Sequence, residues 1–335
     1  MTAQQDRAPS IYTVASLAGV SPSTVSRVFA RPGQVSAATA ARVREVAAEV
    51  GYRTRLRTSP GRPRSHVLAL VLTDIRNPGY LEIIRGCEDA ASEAGSMLLV
   101  ANARESGHSE RAVMERGLSQ VDGMVVASSR MTDSAITQIA KQAPLVMLNR
   151  VVTDLPSVVH DNAEGMALAL DHLADLGHRR ICYLGGPESS WANSVRWQAL
   201  RTGARKRSLP ITRLGPFDPT FEGGLEAAAA WQERPSTAVV AFNDLVAVGF
   251  IHGMKAAGVA VPAEVSVVGF DNSNVARIVS PQLTTVASPM HLLGEVAVRN
   301  LLSIIVGAQS WTGHPLMLPT RLVTRQSTAA TRPEC

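Results

Sequence analysis

Cysteine is scarce in this sequence: Cys87, Cys182 and Cys335 are the whole complement, far apart and without CxxC spacing. That excludes a disulfide framework or a thiolate zinc site and fits reduced thiols. Long apolar runs are absent too, none approaching the roughly 18 residues that cross a bilayer, so no membrane association is expected. The polar stretch from Met1 to Ser10 lacks the apolar segment of a secretory signal and reads as a flexible arm, residues 1–10, on a cytoplasmic protein. Signatures of chemistry are missing: no GxxxxGK[ST] phosphate loop, no GxSxG elbow, no HExxH and no clustered metal ligands. An enzyme is therefore not expected, and no metal or cofactor is called for. Lysine is absent from the first 66 residues, yet that stretch is basic, with ten Arg against three acidic residues.

The chain has 335 residues, 45% of them hydrophobic and 18% charged, which suits a globular protein of two or three folded units. Its net charge of +5 is unevenly placed. The basic excess lies wholly in the N-terminal stretch, and beyond it acidic residues slightly outnumber basic ones. Clustered arginine is the footprint of a polyanion binder, because neutralising phosphates releases condensed counterions. On charge alone, a solvated basic tail fits equally well.

The pattern of residues 11–52 favours a folded module over a tail. Val14, Leu17 and Ala18 share one face of a short helix, and Gly19 permits a turn. Ser21 then caps a second helix with Pro22 at its first position. Val25, Val28 and Phe29 recur at helical spacing and face inward, leaving Ser23, Thr24, Ser26 and Arg27 on an outer face able to enter a groove. A Pro-Gly turn at Arg31 to Gln34 follows. Ser36 caps a third helix whose core stripe is Val43, Val46, Ala47 and Val50, and Gly51 ends it.

The segment IYTVASLAGVSPSTVSRVFARPGQVSAATAARVREVAAEVGY resembles, without gaps, the DNA-binding domain of the lactose-repressor and galactose-repressor family. The motif AGVSxxTVSRV, followed at the right distance by VS, T, RV and GY, makes the likeness specific. It implies a helix-turn-helix domain binding double-stranded DNA, with Pro22, Ser23 and Arg27 at base edges in the major groove. Arg27 has the clearest chemistry, since its fork contacts guanine O6 and N7 together. The resemblance also places Ser10, Tyr12, Ser21, Thr24, Ser26, Ser36, Thr39 and Tyr52 near phosphates, where hydroxyls fix register. Each hydroxyl equally suits a cap or a surface position.

Residues 53–65 form a basic linker, RTRLRTSPGRPRS. The family places a hinge helix here with a leucine where this chain has Gly61, and Pro60, Gly61 and Pro63 oppose a helix. Leu56 is the nearest leucine for a minor-groove wedge. In exchange, Pro60 to Arg64 resembles the core of the AT-hook, an extended peptide in the narrow minor groove of A·T-rich DNA. On that reading Arg62 and Arg64 enter the groove, and the bland alternative is a basic tether touching phosphates.

From His66 onward, short apolar runs alternate with amphipathic helices, the pattern of parallel sheets covered on both faces. Expected strands are Val67–Leu72, Met97–Val100, Gly123–Ala127, Leu145–Leu148, Ile181–Leu184, Ala238–Phe242 and Val265–Phe270. The landmarks DIRNPGY, VDGMVV, LNR, DN, LGHRRI, FND, VPAEVSVVGFDN and LTTV are similar to the same family's effector domain, which shares its fold with periplasmic sugar-binding proteins. The expected architecture is thus an all-α helix-turn-helix domain plus an α/β two-lobed domain spanning about 66–330. The family's three passes between lobes imply a first lobe of 66–161 with 290–319, and a second of 162–289 with 320–330.

Ligands of open parallel sheets bind beyond the carboxyl ends of the strands, where Asp74, Asn149, Asn243 and Asp271 fall, with Arg150 beside Asn149. The resemblance implies that Arg196 grips a small-molecule effector, Asp271 accepts its hydrogens and Tyr80 walls the pocket. Trp191 and Phe217 are candidates for stacking on a sugar or base face. Asp74 and Asp244 also suit helix caps, and Trp191 and Phe217 the core. The expected protein is a homodimeric repressor-type regulator whose operator affinity a sugar, sugar acid or related metabolite controls. A solute-binding receptor is the rival reading, since the large domain alone suits one.

Overall fold

The computed structural model describes residues 10–30, 35–50, 64–308 and 313–331. The chain divides into two compact units, Met1–Thr58 and Ser59–Cys335. The first holds α1 (Ile11–Leu17), α2 (Pro22–Ala30) and α3 (Ala37–Glu49). Its small core joins Val14, Ala15 and Ala18 to Val25, Val28, Ala40, Val43 and Ala47. Leu17, expected in that core, is 60% exposed. The inward face of α1 runs through Val14, Ala15 and Ala18, so the small Ala15 takes the place that apolarity alone assigned to Leu17.

The second unit runs β1 (Val67–Leu72), α4 (Gly79–Glu93), β2 (Met97–Asn102), α5 (Gly107–Gly117), β3 (Gly123–Ala127), α6 (Asp133–Ala140), β4 (Leu145–Leu148) and β5 (Ser157–His160). It continues with α7 (Asn162–Asp175), β6 (Ile181–Leu184), α8 (Trp191–Lys206), β7 (Ile211–Leu214), α9 (Phe221–Glu233), β8 (Ala238–Ala241), α10 (Asp244–Ala256), β9 (Ser266–Asp271), α11 (Val275–Ile278) and β10 (Thr284–Ala287). Last come α12 (Met290–Ile305), β11 (Leu316–Leu318) and β12 (Arg321–Val323).

Two six-stranded sheets result, in the orders β11-β5-β4-β3-β1-β2 and β12-β10-β9-β8-β6-β7. All pairings are parallel except β10 with β12. The central strands of each sheet are buried on both faces, as expected of parallel strands, while the edge strands β2 and β7 are partly exposed. Along β1, Leu68, Leu70 and Leu72 face α4 and α12, while Ala69 and Val71 face α5 and α6. Along β6, Cys182 and Leu184 face α9 and α10, while Ile181 and Tyr183 face α7 and α8. The close approach of α4 and α12 depends on two glycines: a Cβ on Gly86 would stand 1.9 Å from the His291 carbonyl oxygen, and one on Gly294 2.3 Å from that of Ile83.

The chain passes between the sheets at Asp161, between β10 and α12, and between β11 and β12. These crossings leave two lobes whose parallel strands present their carboxyl ends to one cleft, the antiparallel β12 running the other way.

Candidate functional site

In the first unit, three serines begin the three helices in the same way. Ser10 caps α1, its hydroxyl accepting from the Thr13 amide, while the Thr13 hydroxyl accepts from the Ser10 amide. The amide of Thr24 donates to Ser21 Oγ at 3.1 Å, and that of Thr39 to Ser36 Oγ at 3.3 Å. Capping therefore occupies Ser10, Ser21 and Ser36. It also leaves three helix N-termini with hydroxyls and amides at the surface, the arrangement that favours an anion. Tyr12 is 71% exposed, and Ser23 and Arg27 are exposed on α2, with Pro22, Thr24 and Thr39 half-buried. Ser26 lies within α2. Tyr52, Leu56 and Arg62 lie outside the described residues, so the hinge and AT-hook readings do too; Arg64 is exposed.

In the second unit, five of the nine residues expected at the cleft line it: Tyr80, Asn149, Arg196, Asn243 and Asp271. The empty space between the lobes measures about 480 Å³ with its open mouth included. Arg196, on α8, is 2% exposed, and its guanidinium is engaged on every side. Nε donates to Asn162 Oδ1 at 2.8 Å, Nη1 donates to the Phe242 carbonyl, and Nη2 lies 3.3 Å from His160 Nε2. The Phe270 ring sits 3.5 Å beneath its Cζ, and Asp271 Oδ1 lies 3.8 Å from Nη2. A buried cation persists only with such partners.

Burial pushes the Asp271 carboxyl up, and the Arg196 charge opposes that rise. Burial likewise raises Asp244, which accepts from the Ser273 amide at 2.7 Å and from Thr285 Oγ1 at 2.6 Å. Asp244 so pins the turn in which Asp271 and Asn272 take positive φ, 111° and 56°. Tyr80 donates to or accepts from Thr73 Oγ1 at 2.6 Å, and Asn243 caps α10 while its Nδ2 donates to the Pro219 carbonyl.

Four expected residues do not line the cleft. Asp74 turns to Arg76, its Oδ2 accepting from Nη2 at 2.6 Å. Arg150 is a buried brace: Nη1 donates to the carbonyls of Ser129 and Met131, and Nη2 to Asp133 Oδ1. Phe217 packs on the core beneath β6 and β8. Trp191 is the first residue of α8, half-buried, because the helix begins three residues before the apolar pattern places it.

Sequence reasoning missed Glu105, Ser128 and Arg130, which line the cleft, and His160 and Asn162, which hold Arg196. The strand-end rule that singled out Asn149 applies equally to the ends of β2 and β3, where the first three stand. Glu105, Ser128 and Asn149 share a left-handed backbone, φ 56°, 53° and 55°. Such residues cost of order 1–3 kcal/mol each and gather at functional sites.

Comparison with known proteins agrees with this architecture. Residues 10–55 match the model for bacterial regulatory proteins of the lacI family, and residues 170–328 match a periplasmic binding protein-like domain. The transcriptional repressor CytR of Escherichia coli strain K12 is 32% identical over 98% of this chain and 98% of its own length. Among solved structures, the transcriptional regulator CelR in complex with cellobiose has TM-score 0.72 and 30% identity, covering 95% of this chain and 99% of that one. The lac repressor dimer bound to operator and the anti-inducer ONPF has TM-score 0.71 and 25% identity, over 97% and 100%.

Proposed function

The chain belongs to the lacI family of bacterial regulatory proteins, and from that membership we propose that its DNA affinity is set by a small hydroxyl-bearing effector held between the lobes. It is a DNA-binding transcription regulator, and repression is the mode we assign to it. The observation that carries the effector reading is the constellation of Arg196 and Asp271, two buried charges from one lobe, facing Tyr80 and Asn149 from the other. Neither charge repays its burial by packing alone, and both residues line the cleft. CelR, a structural relative, is seen with cellobiose, and the lac repressor with operator as a dimer. By analogy this chain acts as a homodimer, placing two α2 helices in successive major grooves of a near-palindromic site, with Arg27 reading a base edge and the capped helix starts near phosphates.

An effector changes DNA affinity only as far as it prefers one lobe arrangement over another. We read the chain as a cytoplasmic binding protein without catalytic activity. The test separates the two modules. Arg196→Ala should abolish the calorimetric binding of an effector found by thermal-shift screening of sugars and nucleosides while leaving operator affinity intact. Arg27→Ala should keep effector binding and cost about 1–3 kcal/mol on the operator, relaxing discrimination at one base pair per half-site. Effector binding that survives Arg196→Ala removes the cleft from the account.

A further inference from the structure

We infer that a second guanidinium–carboxylate pair, Arg130 with Glu105, contacts the effector from the first lobe and makes the cleft select an uncharged hydroxyl-bearing ligand over an anion. The inference rests on the reading that the cleft holds the effector.

Arg130 Nε donates to Glu105 Oε2 at 2.7 Å, and the side chains are only 5% and 23% exposed. Both border the same cleft as Arg196 and Asp271. Glu105 follows the end of β2 and Arg130 the end of β3, adjacent strands but for β1 between them, so the pair spans the carboxyl edge of the first sheet. It is built rather than incidental. The Arg130 amide donates at 2.9 Å to Oε2 of Glu110, whose carboxylate is itself buried, and Arg130 Nη1 donates to the Ser128 carbonyl at 2.8 Å. Glu105 is held by its amide, which donates to the Thr73 carbonyl at 2.6 Å, in the left-handed conformation it shares with Arg104. Two consecutive non-glycine residues in that region are strained, and the strain serves to turn a charged side chain toward the cavity. Arg150 with Asp133 shows the contrast: an ion pair of the same lobe that serves as a brace and does not border the cleft.

Four charged residues line the cleft, Glu105, Arg130, Arg196 and Asp271, two of each sign. A hydroxyl lying beside such a pair can donate to a carboxylate oxygen and accept from a guanidinium N–H, which a neutral ligand does without disturbing the charge balance. A phosphate or carboxylate group brings negative charge to guanidiniums that Glu105 and Asp271 already neutralise, so at low dielectric the cleft offers it no net positive charge. Removing one carboxylate leaves the cleft with a net positive charge and reverses the choice.

The experiment is calorimetric titration of the full chain at pH 8, on the ionised side for Asp271, with ribose, ribose 5-phosphate and inorganic phosphate. Wild type should bind neither anion more tightly than ribose. Glu105→Gln should bind ribose 5-phosphate or inorganic phosphate at least about tenfold more tightly than wild type does. Arg130→Gln should show no such gain. Thermal melting checks each fold, and Glu105→Ser supplies a second way to remove the charge. If neither Glu105 variant gains affinity for either anion while folded, the inference is overturned, whatever wild type does with ribose. An anion bound more tightly than ribose by wild type overturns it as well. The underlying cleft reading fails differently: ligand binding by wild type would then persist in Arg196→Ala.

Discussion

Arg196 Nη2 on α8 of the second lobe lies 3.3 Å from Nε2 of His160, the last residue of β5 in the first lobe, one residue before the chain first crosses between them. The imidazole is buried, lies 5.4 Å from the Phe270 ring, and shares Asn162 Oδ1 with the arginine. The arginine proposed to hold the effector is thus in contact with a residue of the opposite lobe.

Burial and the nearby Arg196 charge push His160 down to about 3, so it is neutral in the folded protein. A folded-state value below the unfolded one means a stabilising contribution fully present above about pH 6.5 and lost as pH falls toward the folded value. Between pH 6.5 and 5 wild type should therefore lose about 2 kcal/mol more than His160→Gln does. The raised carboxyls of Asp244 and Asp271 act in the opposite direction, but they are common to both proteins and cancel in the difference. Urea unfolding at the two pH values measures this, and parallel losses would show that His160 is not the titrating group.

The helix caps offer a test that separates folding from DNA contact. Ser21→Ala should lower the stability of the first unit by about 1 kcal/mol. Ser21→Asp retains a capping oxygen, so stability should be held while operator affinity drops, because a carboxylate at that helix start repels the phosphate. Melting and fluorescence anisotropy on the full chain read the two effects, and undiminished DNA affinity in Ser21→Asp would make Ser21 a cap alone.

For the linker, Arg62→Ala/Arg64→Ala is compared with Leu56→Ala on operators whose central base pairs are A·T or G·C. Minor-groove reading predicts that the double arginine variant loses more on the A·T operator. Equal loss on both leaves a tether that touches phosphates, and a loss confined to Leu56→Ala marks that leucine as the wedge.

Most of the fold was legible because apolar period and cap residues agree with one another: the starts of α2 and α3 follow from Ser21 and Ser36, and β1, β3, β4 and β6 from unbroken apolar runs. The four-residue β5 and β7 escaped, one too short to show a period and the other carrying Thr212 and Arg213 on an edge. At the site, Arg196 and Asp271 were within reach of resemblance and strand-end reasoning. Glu105 and Arg130 were not singled out, because an Arg or Glu in a loop looks like any solvated charge until the sheet brings the two together. Arg150 was misplaced for the converse reason: it adjoins a cleft residue in sequence, but its side chain turns into the loop at Ser129 to Asp133.

The central claim is that one ligand-filled cleft controls DNA affinity. It is tested by anisotropy titration of an operator, selected from random DNA by the wild-type protein, with and without a screened effector at saturation. Operator Kd should change by at least about fivefold, the lower end of ordinary coupling between sites, and should not change in Arg196→Ala. Identical operator Kd values with and without an effector that binds wild type would contradict it.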